Sequence, residues 1–485
     1  MGCRAMSMTS FNWTIAVPEI VLALSGIVIL VAGVLQRKGE GFFSSAMLSI
    51  AAFAVCGFLV LLSPTGEGYA GTFVNDGFAR FMKMLILAGA LTAVVLTFSY
   101  RTRDKITLPF ETPVLMLFST LGAMIMASSA NLMTLFVGLE LSSLSIYILC
   151  AMERDSVLSS EAGLKYFVLG SLASGLLLYG ISLVYGYAGT MEYTGLVAAI
   201  RASGALPMGL IVGIVFIVTG LCFKLSAVPF HMWTPDVYQG APTPVTAYMA
   251  GAPKFAAFAL FLRVMAGPFG TVAPRWQMLI ETVSVLSMVY GAFAAIPQGN
   301  IKRLMAYSSI GHMGYAMMGL AAASLAGIQA TLIYLAAYFV MNAGVFACIT
   351  AMRRKGREVV SISDLAGLGR TDPAMAAVLA LFMFSMVGAP PLAGFFGKFL
   401  VFAAAWQSGL YVLVVIGALS SIVGAYYYLR IVKVMYFDSP AEELDRPAPS
   451  LLFVSGSMGL ATALFVAGMG PLMAWAHQAA LALGG

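Results

Sequence analysis

Glu140, in NLMTLFVGLELSSLSIYILC, has nine residues of one apolar run before it and ten after it. A carboxylate at that depth in a membrane helix cannot reach water. Three lysines share the predicament: Lys224 in GLCFKLSAVPFHMWTP, Lys254 in AYMAGAPKFAAFALFLRV and Lys398 in GAPPLAGFFGKFLVFAAAW. His312, in AYSSIGHMGYAMMGL, is also central, Lys165, in EAGLKYFVLGSLASG, sits about one turn inside its helix, and His231 follows Pro229. A charge at a helix centre costs about 2.5–3.5 kcal/mol even on insertion scales, so several of them in one chain demand a use. Burial disfavours an ammonium and a nearby carboxylate restores it. A lysine poised between the two effects binds or releases a proton when its partner moves. The other use of such residues is a set of buried structural ion pairs, which residue type and spacing leave open, above all for Lys165, His231 and His312.

Two of the lysines lie beside helix breaks. Pro229 follows Lys224, and MVGAPPLAGFFGK places Pro390 and Pro391 upstream of Lys398. Proline removes a backbone donor and clashes with the preceding turn, so both spans are expected to be discontinuous and to free carbonyls that need partners. Interrupted helices in corresponding places of two halves point to a transporter with its pathway near the midplane. Other ionisable residues are shallower. Arg80, Lys83, Arg430 and Lys433 are expected to snorkel to the interface, Glu19 beside Pro18 to sit at a helix start, and His477 to be interfacial.

The elements that must hold these residues follow from composition. Of 485 residues 61% are hydrophobic and 9% charged, with a mean hydropathy of +0.94, the signature of an all-α polytopic membrane protein. A bilayer core needs roughly 20 apolar residues per helix. Runs of that kind predict about fourteen spans, near 14–35, 43–62, 78–99, 111–128, 131–150, 161–188, 206–228, 241–266, 276–297, 301–322, 327–351, 373–406, 409–436 and 450–478. Basic residues are retained on the cytoplasmic side during insertion. One set of alternate loops carries Arg37, Lys38, Arg101, Arg103, Lys105, Arg154, Lys302, Arg303, Arg353, Arg354, Lys355, Arg357, Arg370 and Arg446, the opposite set Arg201 and Arg275. An even number of spans with both termini on the periplasmic side fits this asymmetry, and the net charge of +6 then reads as topology, with no nucleic-acid partner.

Several chemistries have no seat in the sequence. Cys3, Cys56, Cys150, Cys222 and Cys348 are scattered, without zinc or iron–sulfur spacing, and neither a dinucleotide fingerprint nor a P-loop occurs. No metal, cofactor or redox centre is expected in this chain. The first run is too long for a signal peptide and leads into further spans, so it is expected to be retained. Met8 is an alternative initiator to Met1, and Cys3 is given no role.

Four stretches carry a resemblance: KLSAVPFHMWTPDVYQGAPTPVTAYMAGAPKFAAF, NIKRLMAYSSIGHMGY, EAGLKYFVLGSLASGLLLYG and GAPPLAGFFGKF. With them the chain resembles the antiporter-like subunits of respiratory complex I, the proton-translocating NADH:quinone oxidoreductase, over roughly residues 15 to 480. The resemblance implies an N-terminal three-helix segment (1–110), a first five-helix repeat (111–266), a second, inverted repeat (276–436) and a C-terminal helix (450–478), with the seventh and twelfth helices discontinuous. It further implies that Glu140 pairs with Lys224, that Lys254 links through His312, and that Lys398 completes a polar axis. Lys398 stands where a sister branch of the group carries a glutamate, and the chain ends without the long lateral-helix extension of another. Implied partners are neighbouring antiporter-like and small membrane-arm subunits, lipids and protons in a bacterial inner membrane; NADH, FMN, iron–sulfur clusters and quinone would be used by other subunits. Two rivals remain. A multi-subunit cation/proton antiporter shares these motifs, although sodium wants several oxygen ligands and the deep spans offer one carboxylate. A channel or solute carrier would want a roomy polar cavity.

Overall fold

A computed structural model describes residues 12–36, 41–103, 108–203 and 206–484. Cys3, Met8, Arg37, Lys38 and Lys105 lie outside the described residues.

An N-terminal group comprises α1 (Val17–Leu35), α2 (Gly41–Leu62), the hairpin β1 (Gly66–Gly68) and β2 (Phe73–Asn75), and α3 (Gly77–Arg103). Then come α4 (Glu111–Ala127), α5 (Leu132–Cys150), α6 (Val157–Ala188) and the short amphipathic α7 (Tyr193–Ala202). The expected seventh span, 206–228, is α8 (Met208–Leu225), which breaks at Ser226 and continues beyond the expected bounds in α9 (Thr234–Gly240); the eighth is split into α10 (Thr243–Ala250) and α11 (Ala252–Ala266). The second half runs through α12 (Ala273–Ala295), α13 (Ile301–Ala321) and α14 (Leu325–Ala351). After them come the hairpin β3 (Arg353–Arg354) and β4 (Arg357–Glu358) and the turn-length α15 (Leu368–Thr371). The split pair α16 (Pro373–Val387) and α17 (Ala393–Gln407) precedes α18 (Tyr411–Phe437), and α19 (Pro449–Ala463) with α20 (Met469–Gly484) closes the chain.

Among the described residues ten helices are long and apolar enough to cross a membrane, or eleven if α19 and α20, bent by 70°, count as one span. The expected fourteen is compatible with this set. The three further elements it needs are α4, which is 17 residues long, the interrupted pair α16–α17, and α13, whose apolarity is diluted by Lys302, Arg303, Ser308, Ser309 and His312. The bends within the eighth and fourteenth spans were not legible as breaks. At the first, Gly251 takes φ −111°, ψ −99° with Pro253 two residues on.

Helix starts follow capping chemistry. Asn131, Ser156, Asn300, Ser324 and Asp372 each accept a backbone N–H of the first turn of α5, α6, α13, α14 and α16. Between helices, small residues permit close approach, as they must where lipid supplies no hydrophobic drive. A Cβ on Gly122 of α4 would lie 2.5 Å from the Ser142 nitrogen of α5, and one on Gly291 of α12 would lie 2.7 Å from the Gly311 nitrogen of α13. The α10–α11 segment is wholly buried and α13 nearly so, while α1, α2, α6 and α18 turn large apolar side chains outward. The axis of the molecule is therefore α10, α11, α13 and α14, and four of the sequence-selected residues stand on it or against it.

Both breaks end their first helix in a left-handed residue, Ser226 after α8 (φ 62°) and Gly388 after α16 (φ 97°). Gly388 is required twice over, because a Cβ there would also meet the Lys398 side chain at 3.2 Å.

Candidate functional site

On α5, Glu140, Ser143 and Tyr147 fall three and four residues apart and so share a face. Lys224, in the last turn of α8, is buried, and its Nζ donates to Ser143 Oγ at 2.5 Å. The ammonium lies over two aromatic rings, Tyr166 at 5.4 Å and Tyr147 at 5.7 Å. Glu140 is half-buried and accepts a hydrogen bond from Ser174 of α6. The structure thus differs from the direct Glu140–Lys224 pair that was expected: the hydroxyl of Ser143 takes the lysine, and that of Ser174 takes the carboxylate.

Beyond Lys224 the break brings in α9. Trp233, which caps its start, stacks on Tyr166 at 4.2 Å and donates its indole N–H at 3.1 Å to the Phe223 carbonyl, which also accepts the Ser226 N–H, while Tyr238 lies 5.3 Å beneath the Lys254 ammonium. At the break itself the Val228 amide is taken by Ser287 at 2.9 Å, and Ser226 and Thr234 bury hydroxyls that no protein group engages. Lys165 lies deeper along α6 than expected because that helix begins at Val157. Its ammonium pairs with Glu161 and Asp236, both at 2.6 Å, and is 40% exposed. His231 is half-buried with its ring 4.4 Å from that of Tyr290, turned toward α12 rather than toward a lysine.

From Lys254 a file of side chains crosses the second half. Lys254 Nζ donates to Ser309 Oγ at 2.6 Å, and Ser309 shares a hydrogen bond of 2.8 Å with Tyr338. The Tyr338 ring lies 5.3 Å from that of His312. His312 Nδ1 meets the Tyr334 hydroxyl at 2.6 Å and Nε2 meets that of Tyr428 at 3.1 Å, with Ser308 2.5 Å beyond Tyr428. A neutral imidazole accepts through one nitrogen and donates through the other, so exchange of tautomer moves a proton from one tyrosine's side to the other's. Lys398 ends the file. It reaches back across its own break to the carbonyls of Met386 (3.0 Å) and Val387 (2.9 Å), donates to Ser421 at 2.8 Å, and sits 5.0 Å over the Tyr315 ring. Two of the carbonyls that the break frees thus find an ammonium. A cavity lined by His312, Tyr315, Lys398, Ser308, Ser421 and Tyr428 has room for about one water between the histidine and the lysine.

Of the hydroxyl residues, the sequence points to the serines of SLASGLLLYG and AYSSIGHMG, as hydroxyls or as packing residues, and these include Ser174, Ser308 and Ser309; Ser143, Ser421 and the tyrosines were not singled out, although Tyr334 and Tyr338 are spaced to share a face of α14. Lys83 is a correction. Expected to snorkel, it is fully buried and pairs with Glu19 at 2.7 Å, with Asn75 at 3.3 Å and the Phe73 ring at 5.0 Å. Asp76 beside it takes both guanidinium nitrogens of Arg263 at 2.8 and 2.9 Å. Arg80 instead donates to the Ser63 carbonyl, Arg430 to those of Ile296 and Gln298, and Lys433 stays at the surface with Asp438. His477 is exposed beside Gln329, as its position predicts. Removing one partner of a buried pair strands the other charge, at a cost of about 3–5 kcal/mol. Lys83→Ala is therefore expected to lower the thermal midpoint of the detergent-extracted protein, and Glu19→Gln with Lys83→Met to recover most of the loss. A single variant as stable as the parent would show that the pair carries no such strain.

Residues 129–424, from the start of α5 to the middle of α18 and so containing every lysine of the file, match the family described as NADH:quinone oxidoreductase/Mrp antiporter, transmembrane. The chain belongs to this family. Among its relatives is the NADH-quinone oxidoreductase subunit N of Gluconacetobacter diazotrophicus, 67% identical over 97% of this chain and 99% of that one. A chain of the respiratory complex I of Thermus thermophilus, solved with bound aureothin, is 32% identical and superposes with a TM-score of 0.81 over 96% of this chain and 100% of that one. A chain of the Mrp complex from a Dietzia species reaches the same TM-score at 22% identity, over 97% of this chain and 96% of that one. That last likeness is one of fold alone.

Proposed function

We propose that this chain is the membrane-arm subunit N of a bacterial NADH:quinone oxidoreductase and that it moves protons along the file Glu140, Lys224, Lys254, His312 and Lys398. The observation that carries the reading is the row of Lys254, His312 and Lys398 through the interior: Lys254 reaches Tyr338 through Ser309, the Tyr338 ring lies against His312, and His312 and Lys398 line one cavity with room for about one water. Electron transfer from NADH to quinone takes place in other subunits. A signal from there alters the Glu140–Lys224 separation; withdrawing the carboxylate lowers the proton affinity of the lysine, and the proton passes by way of α9 toward Lys254 and on through His312 to Lys398. Moving one charge against 100 mV costs about 2.3 kcal/mol, matched by a change of about 1.7 in a pKa at about 1.36 kcal/mol each. One ion-pair rearrangement is a sufficient lever.

On this reading 111–266 and 276–436 are the two inverted repeats, the first broken after α8 and bent again at Gly251, the second broken between α16 and α17, and 1–110 and 450–478 frame them. Lys398, with its two break carbonyls, favours subunit N over the sister branch that carries a glutamate there. The chain's partners are then the neighbouring antiporter-like and small membrane-arm subunits, with lipid around them. The rival, a cation/proton antiporter, predicts sodium-coupled flux from a complex without redox subunits. Affinity purification of the tagged chain tests the assignment. Recovery of flavin- and iron–sulfur-containing subunits in stoichiometric amount supports it, and a redox-free complex that exchanges sodium for protons contradicts it.

The orientation is testable by itself. Arg357 is exposed in β4, in the loop richest in basic residues, and the native cysteines among the described residues are buried. Arg357→Cys is expected to react with an impermeant maleimide in inverted vesicles and to be protected in intact cells. Labelling from the periplasmic side would reverse the topology.

A further inference from the structure

Asp236 stands at the end of the bundle where the basic loops gather, and its carboxylate is shared. One oxygen takes Lys165 of α6 at 2.6 Å and the other takes Arg303 of α13 at 2.6 Å. Its helix, α9, is the seven-residue segment left by the break. It carries Trp233, stacked under the ring that faces Lys224, and Tyr238, under Lys254. Lys254 therefore has one wall on this short helix, and the Tyr166 wall of Lys224 is backed by the residue that caps it. One carboxylate thus ties that helix both to the first half through α6 and to the second half through α13, where Gln239 and the Ala241 carbonyl add contacts to Arg303 and Lys302.

Each partner of Asp236 has an alternative. Lys165 also pairs with Glu161 one turn away at 2.6 Å, and Arg303 also donates to Gln239 of α9 at 3.2 Å. The three side chains are 30–40% exposed, and ion pairs at such exposure contribute little to stability. A strut would be built of strong, exclusive contacts. Lys165 has its fallback on its own helix and Arg303 has one on α9 itself, so the contact with α6 can be let go while the contact with α13 shifts from Asp236 to Gln239.

We propose that Asp236 is the positioning residue of an ionic latch, which holds α9 between the two halves and is exchanged between Lys165 and Arg303 during the pumping cycle. Release from α6 lets α9 move Trp233 away from the surroundings of Lys224; release from α13 lets it move Tyr238 away from Lys254. The latch rests on the relay reading above, since it acts by setting what the two lysines face.

Nonadditivity tests it in the assembled complex, reconstituted in proteoliposomes and read as protons pumped per electron beside the rate of NADH oxidation. Asp236→Asn is expected to lower the proton-to-electron ratio at least twofold while electron transfer continues, and Asp236→Glu to restore most of it. Lys165→Gln and Arg303→Gln are each expected to give a smaller loss. The pair combined should match Asp236→Asn and add nothing to it, because all three act through one contact. Hydrogen exchange of the amides of residues 234–240 supplies a readout independent of pumping, and it should quicken in Asp236→Asn and recover in Asp236→Glu. An unchanged ratio in Asp236→Asn overturns the latch, whether or not exchange quickens, as do losses that simply add. Failure of the relay itself would show elsewhere, as normal pumping by Lys224→Arg, and is thus distinguishable from failure of the latch.

Discussion

Glu140→Gln is expected to leave the complex assembled and to cut coupled turnover by about tenfold or more, less than the roughly 100- to 10,000-fold of a positioned acid or base because Glu140 acts through Lys224. The amide keeps the shape of the carboxylate and can still take the Ser174 hydroxyl. It cannot supply the negative charge that stabilises the protonated form of Lys224, whose present partners are a neutral serine and two ring faces. Glu140 is half-buried and its one hydrogen bond, from Ser174 of α6, survives in the amide, so the loss should appear in pumping rather than in yield. The check is proton-to-electron stoichiometry and NADH oxidation rate measured on equal amounts of complex. Wild-type values for both would make Glu140 a residue of the α5–α6 packing.

The candidate site was legible in the sequence wherever cost betrayed use. Glu140, Lys224, Lys254, His312 and Lys398 could be singled out because a titratable group in a long apolar run is expensive, and Pro229, Pro390 and Pro391 because proline cannot continue a helix. The connecting residues were not legible by that signal. Ser143, Ser309, Tyr338 and Tyr428 cost little in a membrane helix, and serine and tyrosine are as common in packing as in transfer; only the fold selects which of them face a lysine. Lys83 failed for the opposite reason. Sequence depth suggested a side chain long enough to reach water, but the turn of α1 that carries Glu19 packs over it, an arrangement between helices far apart in the chain that periodicity cannot report. The bends at Gly251 and at Leu464 escaped as well. Neither interrupts apolarity, which is the quantity that span prediction reads.

Lys224→Arg separates a relay from a fixed charge. Arginine keeps the positive charge, can bridge to Glu140 and can still donate to Ser143, so a site that needs only a cation should tolerate it. Arginine does not give up its proton at working pH, since its pKa exceeds about 12. A relay should therefore lose pumping by about tenfold or more with the complex still assembled, and quinone reduction should fall with it if the two are tightly coupled. Lys224→Ala belongs beside it, because the broader guanidinium must fit among Ser143, Tyr147 and Tyr166 and could obstruct α9 by size alone. The most direct measurement is acidification of proteoliposomes driven by NADH oxidation, normalised to assembled complex, for wild type, Lys224→Arg and Lys224→Ala. Proton titration at Lys224 predicts that both variants fail to acidify; an arginine variant that pumps like wild type while alanine does not would contradict it, and would leave Lys224 as a fixed charge.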